Sequence, residues 1–297
     1  MPLYLACDTI ILQDRKVGGK VDNLFKDLES MGISGVENIN LFVDESKKEK
    51  SKVVKKTIKT NDIVYERSVS CPVCNKSFKT TSIRSGRIRF VDTELDLRPV
   101  YSGFDPIPYD VVVCNHCGYA GLNKYFQRVS EFKAKKIKAK ISANYKGKVY
   151  PKVLSYEEAI ERYKLALFNS VVGNDTNGTK AYLCLKISWL YRGWKLQLKE
   201  EESEDKDLFK ALMVQELTFV RNAFEGFLIA YENETFPIMS IDQGSMEYLI
   251  AELARRQGKF DESKKWLSRV IQRQSTNKRL HNKIFEVKEL INKEVTT

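Results

Sequence analysis

The sequence predicts a multidomain α+β protein, in which an elaborated zinc-ribbon-like β module precedes an all-α domain of tetratricopeptide-like helical repeats. Two observations predict this fold class. Four cysteines form two matched pairs, Cys71/Cys74 and Cys114/Cys117, in a segment with strand-like alternation. From Leu154 onward, apolar residues recur at helical spacing. A chain of 297 residues has room for two hydrophobic cores.

The first 60 residues are expected to precede both domains. Residues 1–43 are predicted to form a small α/β segment, with strands over 3–12 and 39–43 and a helix over 21–31. Residues 44–60 mix positive and negative charges and lose apolar periodicity, which is the composition of a charged linker.

The cysteine pairs and their neighbouring strands define the zinc-ribbon-like module over residues 61–127. Residues 87–92 alternate polar and apolar side chains, and residues 109–114 are rich in valine and lead directly into the second pair. A strand that leads into a cysteine turn is typical of zinc ribbons. The 39 residues between Cys74 and Cys114 exceed the spacer of a minimal ribbon, so we expect an elaborated one.

The spacing within each pair favours a metal site made of four thiolates. Two intervening residues let one tight turn direct both sulfurs at one point, and two such turns make the tetrahedral cage that zinc prefers. We therefore assign Cys71, Cys74, Cys114 and Cys117 as ligands of a structural Zn²⁺. An iron–sulfur cluster is left open by four cysteines, whereas a thioredoxin-like site needs a single pair in a βαβ setting. His116 is expected to be a bystander.

Residues 128–152 are predicted to form a basic connecting helix that ends between 147 and 151. Residues 63–153 carry 17 Lys/Arg against 7 Asp/Glu, so nearly all of the net charge of +11 lies on the module and this helix. Such an excess attracts phosphates or an acidic protein surface, or is simply a solvated face. The lysines that could contact phosphate are Lys133, Lys135, Lys136, Lys138 and Lys140.

Residues 153–297 are predicted to form the tetratricopeptide-like helical domain. Small and aromatic residues at spacings of three and four recur within 156–166, 223–230 and 258–270, as in the second helix of a repeat of about 34 residues. Residues 246–272 fit this pattern best, with Ala251 and Ala254 in the first helix and Gly258 at the turn. An ordinary helical bundle is the alternative, because apolar periodicity alone does not separate the two.

Repeat scaffolds of this kind bind peptides in a concave groove lined by their first helices. The residues predicted to face that groove are Trp189, Arg192, Tyr248, Arg255 and Arg256. Arginines and aromatic side chains would suit an acidic or C-terminal peptide. The alternative is that the aromatic residues belong to the core and that the arginines are solvated.

No complete catalytic constellation is found in the sequence, and we expect a protein that is not an enzyme. Cys7 and Cys184 are interpreted as small buried hydrophobic residues, because a catalytic cysteine needs a base and histidine occurs only at His116 and His281. The carboxylates within residues 92–110 lie among the arginines Arg84, Arg87, Arg89 and Arg98, and we interpret them as salt bridges. Acid–base chemistry or a second metal at these carboxylates is the weakest alternative.

We expect a cytoplasmic protein without a membrane span. No apolar run of roughly 18 residues occurs, and the first eight residues lack the basic region of a secretory signal. Paired cysteines that hold a metal as thiolates also fit a reducing compartment.

Several motifs occur in order along the chain: CPVC at 71–74, RSGRIR at 84–89, DLRPVY at 96–101, YD at 109–110, CNHCGYA at 114–120, AIERYKLA at 159–166 and CLKISWLYR at 184–192. Together they resemble the bacterial family catalogued as domain of unknown function 2225. The resemblance covers roughly residues 61–290, and the short N-terminal piece with its charged linker is similar to that of clostridial-type members. It implies a bacterial cytoplasmic protein with a metal knuckle and a repeat tail, and it implies no reaction.

We therefore expect a non-enzymatic adaptor or scaffold that contains zinc and binds a protein or peptide through its helical repeats. The alternative is a nucleic-acid-associated factor that uses the basic zinc-ribbon module, with an affinity that falls steeply with salt.

Overall fold

The computed structural model describes residues 60–201, 205–273 and 278–296. The predicted N-terminal segment, all but the last residue of the predicted linker, and Cys7 lie outside these residues. The described part of the chain is α+β, with every strand before residue 123 and the long helices after residue 155.

Six short strands pair as three antiparallel hairpins, preceded by the four-residue helix α1 (Thr60–Ile63). The pairs are β1 (Val64–Ser70) with β2 (Ser77–Ile83), β3 (Arg89–Thr93) with β4 (Pro99–Ser102), and β5 (Val111–Val113) with β6 (Ala120–Leu122). The strand predicted over 109–114 is shorter in the structure, because Tyr109 ends a helical turn and Cys114 begins the second cysteine turn.

The helices that follow lie in the order of the chain. They are α2 (Glu131–Ile137) with a π-helical turn (Lys138–Ser142), α3 (Tyr156–Val172), α4 (Asn177–Glu200), α5 (Lys206–Asn233), α6 (Gln243–Arg255), α7 (Phe260–Gln272) and α8 (Lys278–Thr296). The helix predicted over 128–152 is therefore confined to 131–142. Among the described residues, no helix has both the length and the hydropathy needed to cross a bilayer.

Polar side chains fix where the main helices begin. The Ser155 hydroxyl accepts a hydrogen bond from the Glu158 amide at 3.1 Å, and the Glu158 carboxylate accepts from the Ser155 amide at 2.8 Å, which together form a capping box for α3. Thr176 caps α4 and Asp242 caps α6 in the same sense, each accepting from an amide of the first turn.

The β5–β6 hairpin packs against α3, so that strands and helices share one core. Tyr163 of α3 is fully buried, and its hydroxyl donates to the Ile107 carbonyl at 2.8 Å. The neighbouring Arg162 donates to the Val111 carbonyl at 2.5 Å. Buried residues of α4, α5 and α6 continue this core. The hairpin that carries the second cysteine pair is therefore fixed to the helical part of the chain.

Helices α6 and α7 form a helical hairpin over the segment in which the repeat pattern was strongest. Gly258 lies in the turn between them with a φ of +74°, a left-handed conformation that favours glycine. Ala251 and Ala254 are fully buried, and Ser263 of α7 donates to the Ala251 carbonyl at 2.7 Å, so the two helices approach closely. The helical hairpin is thus present, and its assignment to the tetratricopeptide class stays a prediction.

Candidate metal centre

The first cysteine pair lies in the turn between β1 and β2. The Cys71 amide donates to the Lys76 carbonyl at 3.0 Å, and the Asn75 amide donates to the Cys71 carbonyl at 2.9 Å. Asn75 adopts a φ of +58°, which asparagine tolerates better than most residues. This compact turn brings Cys71 and Cys74 to the same side of the hairpin end.

The second pair lies in the turn between β5 and β6 and repeats the same hydrogen-bonded frame. The Cys114 amide donates to the Tyr119 carbonyl at 2.8 Å, and the Gly118 amide donates to the Cys114 carbonyl at 3.0 Å. Gly118, with a φ of +71°, takes the place that Asn75 has in the first turn. Two equivalent turns therefore present their thiols at the ends of two hairpins.

The four sulfurs meet at one point. The Sγ atoms of Cys71 and Cys117 lie 3.6 Å apart, and those of Cys74 and Cys114 lie 3.7 Å apart. All four sulfurs lie within 4.8 Å of one another. A zinc ion with Zn–S bonds of about 2.3 Å holds tetrahedral sulfurs about 3.8 Å apart, whereas a disulfide requires about 2.05 Å. The residues present fit a four-thiolate metal ion and do not fit a disulfide.

The thiols interact strongly enough to separate their pKa values. Hydrogen bonds from Cys117 and Cys71 lower the pKa of the Cys114 thiol to about 2. Hydrogen bonding to Cys114 raises the pKa of Cys71 to about 12 and raises the pKa of Cys117 well above its usual range. The neighbouring thiols thus stabilise one thiolate by sharing protons with it. A cation bound by all four sulfurs would displace those protons.

A small hydrophobic core surrounds the cysteines and connects them to the helices. Cys71, Cys114 and Cys117 are buried, and the core includes residues of β2, α2 and α3. Tyr119 donates to the Phe126 carbonyl at 2.9 Å. Asn169 of α3 donates to the Gly118 carbonyl at 3.0 Å, so α3 holds the second cysteine turn directly.

The family of the chain follows from a comparison with family models. The model described as "Uncharacterized protein conserved in bacteria (DUF2225)" matches residues 64–291, which include both cysteine turns. The chain belongs to this family. No curated protein and no solved structure matches it in the corresponding searches. The chain is therefore a member of a bacterial family, and the description of DUF2225 names no activity.

The His116 imidazole and the Cys184 thiol of this DUF2225 chain are not part of the metal centre. His116 is not part of the cysteine cluster. Its Nε2 lies 3.2 Å from the carbonyl oxygen of Ser77. Cys184 is buried in α4, and burial raises the pKa of its thiol to about 12. A thiol with a raised pKa is a poor nucleophile at neutral pH.

The five residues predicted to line a partner groove divide into two groups. Trp189 and Tyr248 are 3% and 0% exposed, so the expectation that they face an open groove is wrong. They belong to the core because α4 and α6 are covered on that side by neighbouring helices. Arg192, Arg255 and Arg256 do come together, at a cavity of about 460 Å³.

The three arginines already bind carboxylates of this chain. Arg192 and Arg256 both contact Asp96, which lies between β3 and β4 and is 1% exposed. Arg255 binds the Glu252 carboxylate at 2.8 Å. These arginines were expected to bind an acidic or C-terminal peptide of a partner. Two of them are instead paired with Asp96 of the chain itself.

Four of the five acidic residues within 92–110 make salt bridges, as the sequence analysis favoured, whereas Asp92 accepts a hydrogen bond from the Thr93 amide at 2.7 Å. Glu94 pairs with Arg98 and Arg192, and Asp105 pairs with Arg98 at 2.9 Å. Asp110 pairs with Lys186 of α4 at 2.7 Å. Of the four arginines Arg84, Arg87, Arg89 and Arg98, only Arg98 takes part among the described residues. The other cations come from the helices.

Sequence reasoning missed Glu216 of α5. This carboxylate is 2% exposed and binds Arg192 at 2.9 Å, Lys195 at 2.7 Å and Arg256 at 2.6 Å. A signal was present, because Glu216 lies four residues after Leu212 and four before Val220 on the apolar face of α5. A charged residue in such a stripe requires partners within the fold.

The five lysines named as phosphate contacts have different surroundings. Lys133 is bound to Asp175, with its Nζ 2.6 Å from the carboxylate. Lys136 lies over the Phe132 ring at 4.3 Å. The three exposed lysines are Lys135, Lys138 and Lys140. A role in phosphate binding stays a prediction for these residues.

Proposed function

We propose that this DUF2225 protein is a non-enzymatic cytoplasmic adaptor built around a structural zinc centre. The observation that supports the metal is the cluster of four sulfurs within 4.8 Å. Cys71, Cys74, Cys114 and Cys117 would hold Zn²⁺ as thiolates, and the ion would supply a cross-link between hairpins β1–β2 and β5–β6. With four protein ligands, zinc has no open position for water or substrate, so such a centre stabilises a fold.

Metal content tests the centre directly. The full chain, purified under reducing conditions, is expected to contain one zinc per molecule by mass spectrometry. Cys114→Ser should lose it and lower the unfolding temperature, because three remaining ligands bind less tightly. Cys184→Ser, a buried cysteine of α4, is the matched control and should keep the metal. An iron–sulfur absorption band, or a metal-free wild-type protein that is fully folded, would overturn the assignment.

A surface on α5 supports the adaptor role. Val214 and Leu217 are 58% and 44% exposed, and they line a shallow cavity of about 530 Å³ beside the α6–α7 turn. Arg221 and Lys259 are exposed at the same cavity. Apolar side chains flanked by exposed positive charge fit an amphipathic acidic peptide, with the apolar side chains in the groove and carboxylates at its rim. The helical hairpin of α6 and α7 is consistent with such a scaffold.

The adaptor role is tested with a surface variant. Affinity purification of the wild type and of Val214→Glu/Leu217→Glu, both treated with nuclease, should recover a protein only with the wild type. An acidic segment of that protein, made as a peptide, should bind the isolated full chain in a calorimeter. Arg87→Glu, an exposed charge on the strand module, controls for altered net charge. Equal recovery by wild type and α5 variant would contradict this surface.

A nucleic-acid role is the second candidate, and the exposure of Lys135, Lys138 and Lys140 supports it. Fluorescence anisotropy with a labelled single-stranded oligonucleotide should then show affinity that falls steeply with salt, with a slope of about 0.7 per neutralised phosphate. Lys138→Gln/Lys140→Gln should reduce that slope by about 1.4. A flat salt response, or a slope unchanged in this variant, would reject the candidate.

A further inference from the structure

A third cavity, of about 390 Å³, lies beside the metal centre. One wall is the strand β6 with Tyr119, which follows Cys117 by two residues. Further apolar wall comes from Ala166 of α3 and Leu183 of α4. A cavity of this volume, with walls of both apolar and polar residues, has the dimensions of a site for a small organic molecule.

Two polar features line the interior of this cavity. Lys133 lies 2.6 Å from both carboxylate oxygens of Asp175, so their charges compensate one another. Ser170 is 2% exposed, and its hydroxyl has no hydrogen-bond partner among the described residues. Because buried hydroxyls are generally hydrogen-bonded, Ser170 offers an unused donor and acceptor at the cavity wall.

Arg128 gives the cavity its net charge. The charged residues that line it are Arg128, Lys133 and Asp175, which sum to one positive charge. Arg128 is exposed, forms no ion pair with a carboxylate of the described residues, and lies over the Tyr125 ring with 5.6 Å to the ring centroid. An exposed arginine beside an aromatic ring, with no carboxylate partner of its own, is available to bind an anionic group.

The turn that precedes α6 contributes two residues in an unusual conformation. Ile238 and Ile241 exchange two backbone hydrogen bonds, of 3.0 and 2.9 Å, around Met239 and Ser240. Met239 has a φ of +49° and Ser240 a φ of +67°, as in a type I′ turn that normally selects Asn-Gly. Both residues line the cavity. Side chains kept in a conformation that disfavours them are common at binding sites.

We propose that this cavity binds a small organic anion with a flat apolar body and one carboxylate or phosphate group. The apolar body lies between Leu183, Ala166 and Met239, the anionic group meets Arg128, and Ser170 hydrogen-bonds the body from within. This site is separate from the apolar surface on α5, so it can be present whether or not that surface binds a protein.

The probe for this site is anilinonaphthalene sulfonate, an aromatic anion, with uncharged phenylnaphthylamine as its matched control. Fluorescence titration of the full chain should show one saturable site for the anion. Arg128→Gln should weaken the anion about tenfold and leave the neutral compound unchanged, because only one charge-assisted contact is removed. Arg221→Gln on α5 should change neither.

Gly121→Val fills the cavity. A Cβ at Gly121 would make ordinary van der Waals contact with Tyr119, at 3.4 Å from its hydroxyl oxygen, and because Gly121 lines the cavity the added side chain takes up part of its volume. It should abolish binding of both compounds. Displacement of the fluorophore by naphthoate and by naphthyl phosphate then ranks the two anionic groups. The proposal is overturned if neither displaces it, or if Arg128→Gln leaves the affinity for the fluorophore unchanged. Arg128 is exposed, so this second result stands even if Gly121→Val fails to fold.

Discussion

Arg192 and Asp96, which are 96 residues apart in the chain, form a two-armed ion pair, with contacts of 3.0 and 2.5 Å between guanidinium nitrogens and carboxylate oxygens. Burial alone would lower the pKa of Arg192, but the carboxylates of Asp96, Glu216 and Glu94 together raise it. The pair joins the β3–β4 hairpin to α4, so the strand module is held by the helices through charge as well as through the apolar core.

The first prediction concerns this pair. Asp96→Ala leaves the partly buried Arg192 and Arg256 with one carboxylate fewer, and removing one partner of a buried pair costs about 3–5 kcal/mol of unfolding free energy. The metal content should not change, since Asp96 is not part of the cysteine cluster. Urea denaturation and metal analysis of the same preparations measure both quantities.

Lys135→Ala is the control for that experiment. Lys135 pairs with Glu131 in an exposed salt bridge with side chains 75% and 82% accessible. Such pairs contribute little, so the change should stay within about 0.5 kcal/mol. An equal loss of stability in the two variants would mean that burial of Asp96 is not what makes its contacts important.

The sequence was sufficient to predict the cysteine cluster and the α6–α7 hairpin, because both depend on local spacing. Two residues between thiols and a glycine between two amphipathic helices determine local geometry before any tertiary contact forms. The partner of Arg192 could not be predicted in this way. Asp96 reaches it only after the β3–β4 hairpin packs on the helices, and no local pattern records that pairing.

The cavity beside β6 also could not be predicted from the sequence, for a different reason. The turn at Met239 and Ser240 lacks the Asn-Gly signature by which such turns are recognised.

Strands β1 and β2 were missed because most of their residues are partly or fully exposed and show only weak alternation. Where tertiary context overrides local preference, the sequence pattern alone does not identify the structure.

The second prediction uses three glycines to separate backbone strain from crowding at the metal centre. Gly118 and Gly258 have nearly the same φ, +71° and +74°. A Cβ at Gly258 meets nothing within 4 Å, whereas at Gly118 it would lie 2.7 Å from the Tyr145 ring. Gly258→Ala should therefore cost about 1 kcal/mol, and Gly118→Ala about 1–3 kcal/mol more.

Gly86→Ala completes that comparison, because a Cβ there also meets nothing and its backbone is not left-handed. Its free energy of unfolding should change by less than about 0.5 kcal/mol. Thermal and urea unfolding of the three variants measure the series. If Gly118→Ala were no worse than Gly258→Ala, the Tyr145 ring would have to move freely, and close packing around the second cysteine turn would not be a constraint.

The third prediction concerns the strained turn at Met239 and Ser240, which line the cavity beside β6. Ser240→Gly removes a side chain from a left-handed position and should stabilise the protein by about 1 kcal/mol. The same change in a helix, Ser268→Gly on α7, should destabilise it by about 0.5 kcal/mol. Opposite signs in urea denaturation would identify backbone strain as the cause. A loss of stability in Ser240→Gly would show that the hydrogen bonds of the Ser240 hydroxyl, with Lys124 at 2.7 Å and with the Tyr125 hydroxyl at 3.3 Å, outweigh the strain.

The fourth prediction is a pH dependence that originates at Glu247 of α6. Burial raises the pKa of this carboxyl, but hydrogen bonds from Arg273, at 2.6 Å, and from Tyr231, at 2.5 Å, outweigh it and lower the pKa below the usual 4.5. A carboxyl whose pKa is lower in the folded than in the unfolded state stabilises the fold at pH values above its unfolded-state pKa. That contribution is lost as the pH falls through the lower, folded value.

Glu247→Gln should therefore be less stable than the wild type at neutral pH, and the difference should shrink as the pH falls below about 4.5. Acid also releases metal from thiolates, but that loss affects both proteins alike and cancels in the difference. Glu289→Gln, an exposed carboxylate on α8, is the control and should follow the wild type throughout. Urea denaturation from pH 3 to pH 7 measures the three curves. A difference between wild type and Glu247→Gln that grows in acid would reverse the sign and exclude Arg273 and Tyr231 as the dominant partners of Glu247.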